Sequence, residues 1–433
     1  MVAIQDVLDP LIDASFKGFP HHSAPVRRSQ IGAQGWNLLR GDLPLPLAVI
    51  KRDVLAHNLR WMQGFARAQG LGLAPHGKTC MSPQLFRMQL DAGAWGMTFA
   101  TVTQMQAGIA AGMQRCLIAN QVFTAVDLQG IATLRRDHAG LRVVFLVDSI
   151  QQLDWIEAWQ QQNPTVAPFE VLLEIGVAGG RTGCRTAAQA LALAQRLHAS
   201  TAVRLVGVEC YEGLAATGET DKDVPYAAGL METVDAAARA CDAQNLFDSD
   251  EVILTAGGSA IFDLVASRLK PVLSRPVLGL LRSGCYVTHD QGTYKRMMLA
   301  VAHRTGCGDG LEAAMEVWAS VQSCPEPGLV ILAAGKRDMS YDWEMPQPLA
   351  VCAVGPASHF PPRIEPADTG WKVVALNDQH AHLRGAGSRF DALKVGDLVC
   401  LGISHPCTTF DKWRWMPVVD ADYTVCDAIV TCF

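Results

Sequence analysis

Between residues 71 and 290 short apolar runs recur eight times, each separated from the next by a longer helix-like stretch. The runs fall at 71–75, 95–100, 115–119, 142–147, 169–175, 203–210, 251–255 and 277–282. They read as strands, and the stretches between them carry helix-end signals. Ser82-Pro83 can cap and start a helix that Gly93 ends; Thr103 can cap the next, which Gly112 ends. Asp148-Ser149 precedes "IQQLDWIEAWQQQ", and "TAAQALALAQRLHAS" is rich in strong helix formers. Eight strand–helix alternations predict an α/β fold in which parallel strands close into a (β/α)8, TIM-type barrel. An open doubly wound sheet is the competing arrangement, weakened by the lack of G-x-G-x-x-G after the first strand.

After about residue 290 Gly and Pro become frequent and short β-like runs appear: "LVILAAG", "WKVVALN", "HAHLRG", "VGDLVCLGIS", "RWMPVVD". This predicts a smaller all-β C-terminal domain over 291–433. The barrel is expected over 45–290, led by one strand and one helix in "PLAVIKRDVLAHNLRWM". Residues 1–44 are an extension expected to pack on the β domain. Apolar residues make up 49% of the 433 and charged ones 18%, which suits packed globular domains. A net charge of −6 argues against a nucleic-acid or anionic-membrane surface. The first residues do not read as a signal peptide, and no apolar run is long enough to span a membrane. The 13 cysteines lack any C-x-x-C pair, which suggests reduced thiols in a cytoplasmic enzyme.

Four segments could carry chemistry. "LGLAPHGKTCMSP" ends an apolar run with His76 and Lys78, which strand alternation would place on one face. A lysine at a barrel mouth loses hydration, its pKa falls, and it becomes suited to a Schiff base with an aldehyde cofactor. "LTAGGSAIFD" leads a strand into Gly257, Gly258 and Ser259, where backbone N–H groups can approach an anion. Loops after the seventh and eighth barrel strands form the usual phosphate site, and Tyr286 in the next such loop could also reach a phosphate. "LLEIGVAGGRTGC" holds Arg181 in a glycine-rich loop, and Tyr211 ends the following strand. In "GISHPCTTFDKW", His405 and Cys407 stand two apart on a strand-like run, so both can face one metal, and the pair suits zinc. "NDQHAHL" offers Asp378, His380 and His382 for a third contact or a base, His380 foremost. Taken singly, each feature has an ordinary explanation: a snorkelling lysine, a plain βα turn, a surface arginine, a core tyrosine, a chance H-x-C.

In order along the chain, "PHGKT", residues 176–183, "CYEG", "TAGGS", "LRSGCYVTHD", "LNDQHAHL" and "SHPCTTFD" resemble a fold-type III pyridoxal-phosphate enzyme. The resemblance is to the metal-dependent D-serine dehydratase and D-threonine aldolase group of the alanine-racemase-like superfamily, over roughly residues 45–425. It implies pyridoxal 5'-phosphate on Lys78, with His76, Arg181 and Tyr211 around its ring. It implies Gly257, Gly258, Ser259 and Tyr286 at its phosphate, and Zn2+ (or Mn2+ or Co2+) on His405 and Cys407. It also implies a homodimer acting on a small amino acid. Cysteine at the second ligand position resembles the dehydratase branch, and aspartate the aldolase branch. The expected activity is therefore β-elimination from a D-β-hydroxy amino acid such as D-serine, giving a 2-oxo acid and ammonia, with Lys78 and His380 as catalytic groups. A retro-aldol cleavage of D-threonine or 3-hydroxy-D-aspartate is the alternative, and a non-catalytic cofactor carrier a further one. The chain departs from the group at Ala74, Cys80, Met81 and Leu280.

Overall fold

The computed structural model describes residues 4–354 and 363–433. Eight parallel strands form the first sheet: β1 (Gly72–Leu73), β2 (Met97–Phe99), β3 (Arg115–Gln121), β4 (Arg142–Val147), β5 (Phe169–Ile175), β6 (Val203–Cys210), β7 (Val252–Ala256) and β8 (Val277–Leu281). Each pairs in parallel with the next from β2 onward, and β8 pairs with β1. The last gap closes through a parallel bridge between His76 and Thr98. Beside it Trp95 N–H donates to Leu73 C=O (2.7 Å) and Thr98 N–H to Pro75 C=O (2.8 Å). The expected barrel is therefore present.

The barrel is filled rather than hollow. Ala74, Leu117, Val144, Leu146, Leu172, Val206, Ile253 and Leu280 form one buried cluster inside the ring. Residues alternating with them, such as Val143, Phe145 and Leu173, join the larger core shared with the helices. The helix ends follow the expected chemistry at most places. Ser82 accepts from Leu85 N–H with Pro83 at the first helical position, and Ser149 and Thr186 cap in the same way. The second cap is Thr101 and not Thr103: its hydroxyl accepts from Gln104 N–H at 3.1 Å. Extended backbone at Thr101 puts the hydroxyl over the first turn, whereas Thr103 is already helical.

The C-terminal part is an antiparallel β domain. Its long strand Met315–Glu326 pairs with Leu398–Gly402, which pairs in turn with Gln347–Cys352. Strand Leu47–Lys51, ahead of the barrel in sequence, belongs to this domain. It lies antiparallel to Met315–Trp318 and parallel to Val418–Val419. The extension before it packs there too. Phe19 meets Trp415 edge-on, Trp415 Nε1–H donates to Lys17 C=O, and Asn37 bridges to Thr424. Among the described residues no helix is long and apolar enough to cross a membrane.

Candidate active site

β1 stops at Leu73, and Gly77–Thr79 forms one turn of 3-10 helix. Strand alternation therefore does not aim His76 and Lys78; close packing of that turn does. A Cβ on Gly77 would lie 2.8 Å from the Phe86 and Phe99 rings, and one on Gly284 would lie 2.6 Å from His76 C=O. Both side chains enter a cavity of ≈ 710 Å³ at the C-terminal mouth of the barrel. The barrel contributes Arg181, Tyr211, Ser259 and Arg282 to its wall, and the β domain contributes Asp342, Trp343, His405 and Cys407.

The wall is electrostatically crowded. Burial holds the Lys78 ammonium below the usual lysine range; Arg181 and Arg282 press it further down, and Cys407 opposes them. Burial, and then the charges of Lys78, Arg282 and Arg181, push His76 well below the usual histidine range, so its ring is neutral. The Arg181 guanidinium lies 5.0 Å over the Tyr211 ring, a cation–π contact that joins two residues of separate loops. Burial pushes the Tyr211 hydroxyl up to about 12. Arg282 and Glu209 form an ion pair inside the barrel, both nearly inaccessible, and Arg282 Nη1–H also donates to Thr255 Oγ1 at 2.7 Å. Yet His76 Nδ1, Arg282 Nε and Glu209 Oε2 are buried without a protein partner, and all three residues line the cavity. Such orphaned groups cost about 1–3 kcal/mol each unless a ligand engages them.

The glycine loop works differently from its expected form. Gly257 and Gly258 N–H donate to the Glu212 carboxylate, at 3.0 and 2.7 Å, and Glu212 is fully buried. A Cβ on Gly258 would lie 2.5 Å from Glu212 Oε1, and one on Gly257 would collide with the Arg282 guanidinium. These two glycines thus shape the loop while Glu212 takes their N–H groups. The N–H groups of Ser259 and Ala260 have no protein acceptor among the described residues, and both residues line the cavity. Ser259 Oγ accepts from Gly284 N–H at 3.3 Å, tying this loop to the one after β8. Tyr286 is packed in the core, where its hydroxyl meets Gln89, and does not line the cavity. It follows β8 in a 3-10 turn whose geometry turns it inward, and Tyr294 lines the cavity instead.

His405 and Cys407 do not lie on a strand. The strand ends at Gly402, His405 has φ +68°, and Cys407 opens the short helix Cys407–Phe410. Left-handed backbone at a non-glycine residue costs of order 1–3 kcal/mol and persists where its surroundings enforce it. Here His405 N–H donates to Asp290 Oδ2 (3.0 Å), its ring stacks on Trp343 at 4.1 Å, and Nδ1 meets Asp342 Oδ2 at 2.5 Å. Thr408 O–H holds the other Asp342 oxygen at 2.8 Å. Cys407 Sγ lies 3.5 Å from Thr79 Oγ1 and 3.6 Å from Cys285 Sγ. Among the described residues no three or more His, Cys, Asp or Glu side chains are grouped so that they could hold a metal ion. His380 sits in the hairpin between Lys372–Leu376 and Ala381–Arg384, where its C=O accepts from Asn377 N–H; it does not line the cavity.

Glu209, Glu212, Arg282, Cys285, Tyr294, Asp342 and Trp343 had not been singled out. Glu212 adjoins Tyr211 in "CYEG", and Arg282 and Cys285 lie in "LRSGCYVTHD", so local motifs could have flagged these three. Tyr294, Asp342 and Trp343 reach the cavity through contacts far apart in sequence.

The comparisons with known proteins agree with this architecture. Residues 50–271 match the family model "Alanine racemase, N-terminal domain", and residues 314–419 match "Putative serine dehydratase domain". The chain is 26% identical over 383 residues to a D-threonine aldolase of Arthrobacter sp, covering 86% of this chain and 88% of that one. It is 27% identical over 399 residues to a D-threo-3-hydroxyaspartate dehydratase of Delftia sp. (strain HT23), covering 88% and 96%. A solved structure of a cysteine-to-alanine mutant of D-threo-3-hydroxyaspartate dehydratase, in the metal-free form, superposes with a TM-score of 0.71 at 25% identity, covering 92% and 99%.

Proposed function

The chain belongs to the alanine-racemase-like family of fold-type III pyridoxal-phosphate enzymes, and we propose on that premise that it is a metal-dependent dehydratase of D-β-hydroxy amino acids. In this reading D-serine or a similar substrate gives a 2-oxo acid and ammonia. The carrying observation is that Lys78, His405 and Cys407, distant in sequence and on two domains, line one cavity. The named relatives are lyases of this family, aldolase and dehydratase.

The wall fits pyridoxal phosphate. Lys78 offers an amine with a lowered pKa, Ser259 and Ala260 offer unengaged N–H groups for the phosphate, and the orphaned Arg282 Nε and His76 Nδ1 offer polar contacts. When bound, that cofactor supplies an electron sink for the charge left at the substrate α-carbon. Lys78 would hold the cofactor through its amine and could also take the substrate α-proton, a use that its lowered pKa favours. Arg181 offers the substrate carboxylate a cation at the open side of the cavity. The neutral ring of His76 adds no competing charge beside the amine.

On this reading a divalent ion has two side-chain donors on the β domain, His405 and Cys407, which line the cavity, and the rest of its shell is left to water and substrate. Asp342 engages His405 Nδ1 and so presents Nε2, the usual carboxylate–histidine arrangement behind a metal ligand. Cys407 adds a thiolate donor, and zinc with such ligands supplies Lewis acidity toward a substrate hydroxyl. The resemblance adds the expectation of a homodimer, and the unpaired cysteines suit a cytoplasmic location.

The aldolase reading keeps the same residues and rests on comparable identity to an aldolase. A product assay separates the two. Purified enzyme is given D-serine and D-threonine, with and without EDTA, and 2-oxo acid and aldehyde are followed separately. EDTA-sensitive 2-oxo acid is the expected result. Glycine plus aldehyde moves the protein to the aldolase side, and cofactor binding without turnover of either substrate refutes both.

A further inference from the structure

We propose that the cavity selects β-hydroxy amino acids with a single carboxylate and a neutral, apolar or aromatic substituent on the β-carbon, and that Trp343, with Tyr294 and Met297, receives that substituent. This rests on the reading above, in which a D-β-hydroxy amino acid meets a cofactor on Lys78, and adds the class of side chain that the cavity accepts.

Charge carries the first half. The lysine and arginine side chains on the wall are Lys78, Arg181 and Arg282. Lys78 is committed to the cofactor in that reading. Arg282 is committed to Glu209: their side chains are 2% and 1% exposed, and Arg282 Nη2–H also donates to Cys210 C=O at 3.3 Å. The His76 ring is neutral, and Asp342 holds His405 Nδ1. Arg181 is left. Its guanidinium lies over the Tyr211 ring and has no carboxylate partner among the described residues, so it suits the α-carboxylate that all these substrates share. A second carboxylate finds no such cation. On the β-domain side it meets the acid of Asp342 instead. The neighbouring Glu344 takes the Thr293 hydroxyl at 2.7 Å and Arg296 Nη1–H at 3.0 Å, so Arg296 is already paired, and it does not line the cavity. A carboxylate drawn out of water beside another acid, with no cation to meet it, is rejected.

Shape and polarity carry the second half. Lys78 and Arg181 both belong to the barrel. With the α-carbon at one and the carboxylate at the other, the β-carbon turns toward the β-domain side of the cavity, where His405 stands. There Trp343 stacks on His405 and meets Tyr294 edge-on at 5.3 Å. Met297 stands three residues after Tyr294 in the helix Thr293–Thr305, so the two share the helix face turned to the cavity. Trp343 is 45% exposed, whereas tryptophan is on average highly buried, so its indole offers apolar surface that a ligand can cover. The side chain of D-serine is too short to cover it. An alkyl or phenyl group on the β-carbon reaches it, and a ring can pack there edge-on or offset.

The cofactor-loaded enzyme is titrated with D-phenylalanine, D-alanine and D-aspartate while cofactor absorbance is followed. None of the three has a β-hydroxyl, so none enters elimination or retro-aldol cleavage, and the titration reads binding. D-Phenylalanine is expected to bind about tenfold or more tightly than D-alanine, and D-aspartate more weakly than D-alanine. Trp343→Ala is expected to reduce the preference for D-phenylalanine over D-alanine about fivefold or more. Because Trp343 also stacks on His405, Met297→Arg is the companion variant. A cation on the same wall is expected to raise the affinity for D-aspartate about tenfold relative to D-alanine. Circular dichroism checks the fold of both variants. D-Aspartate binding as tightly as D-phenylalanine in the wild type overturns the proposal and leaves the cofactor reading intact. A preference for D-phenylalanine that neither variant changes overturns the assignment to this wall. Protein without cofactor-linked absorbance before any amino acid is added overturns the reading itself, and the proposal with it.

Discussion

Lys78 sits where five influences on one amine meet: burial, the thiols of Cys407 and Cys285, and the guanidiniums of Arg181 and Arg282. Burial and the guanidiniums lower its pKa and the two thiols raise it. The sign of a change at Arg181 follows. Removing that cation relieves the ammonium, so the lysine pKa rises and less neutral amine is present at a given pH. Arg181→Met is expected to shift the pH dependence of cofactor loading upward, read as the rate of cofactor-linked absorbance across pH 7 to 10. An unchanged profile would exclude the electrostatic role. Lys78→Ala is expected to lose cofactor linkage and 2-oxo acid production together, by several orders of magnitude, with little change in fold. Glu212 is tested separately. Glu212→Ala leaves two loop N–H groups unpaired, which costs about 2–6 kcal/mol at about 1–3 kcal/mol per orphaned group. A lowered urea midpoint and weaker phosphate binding should appear together. At this scale the sequence was readable where chemistry is local. A lysine after Pro-His, a Gly-Gly-Ser turn and an H-x-C spacing announced themselves, whereas Asp342 and Trp343 define His405 from more than 60 positions away. Tyr286 looked like a phosphate contact because only its loop was visible. Which way a 3-10 turn points a ring is decided by what packs around it.

The barrel strands were legible because parallel strands covered on both faces read as continuous apolar runs, whatever the register. The strand Leu47–Lys51 was seen as a strand, but its partners were not. Its burial on both faces is equally compatible with a barrel or a β domain, and the pairing with Met315–Trp318 lies some 270 residues away. Between the two domains the connecting element is the loop at His289-Asp290. Asp290, almost inaccessible, accepts from Gly292 and Tyr294 N–H with one oxygen and from His405 N–H with the other. It therefore holds the start of the helix Thr293–Thr305 and the strained His405 backbone with one carboxylate. Asp290→Ala is expected to destabilise the protein by about 3 kcal/mol and to lower metal affinity, whereas Asp290→Asn, which keeps an acceptor oxygen, should recover part of both. Urea unfolding and zinc titration of the two variants check this.

At the level of the whole molecule, the two ends of the chain close on each other. The β domain takes a central strand from residues 47–51, supports from residues 17–37 and its last strands from the C-terminus. A chain starting at residue 52 is expected to lose the protease-resistant β domain, because removing that strand leaves two sheet edges facing an empty slot. Limited proteolysis and mass spectrometry of the truncated chain would reveal a surviving β fragment if the strand were dispensable.

The wall that joins the domains has a further consequence for how such a protein can change by descent. On the proposed reading amine chemistry is vested in the barrel, and the donors for an ion on the β side are vested in a turn of a few residues around His405 and Cys407. A substitution within that turn can alter the charge and softness offered to the ion while every barrel side chain keeps its place. One scaffold can thus be inherited intact while the bond it breaks is rewritten in a handful of codons.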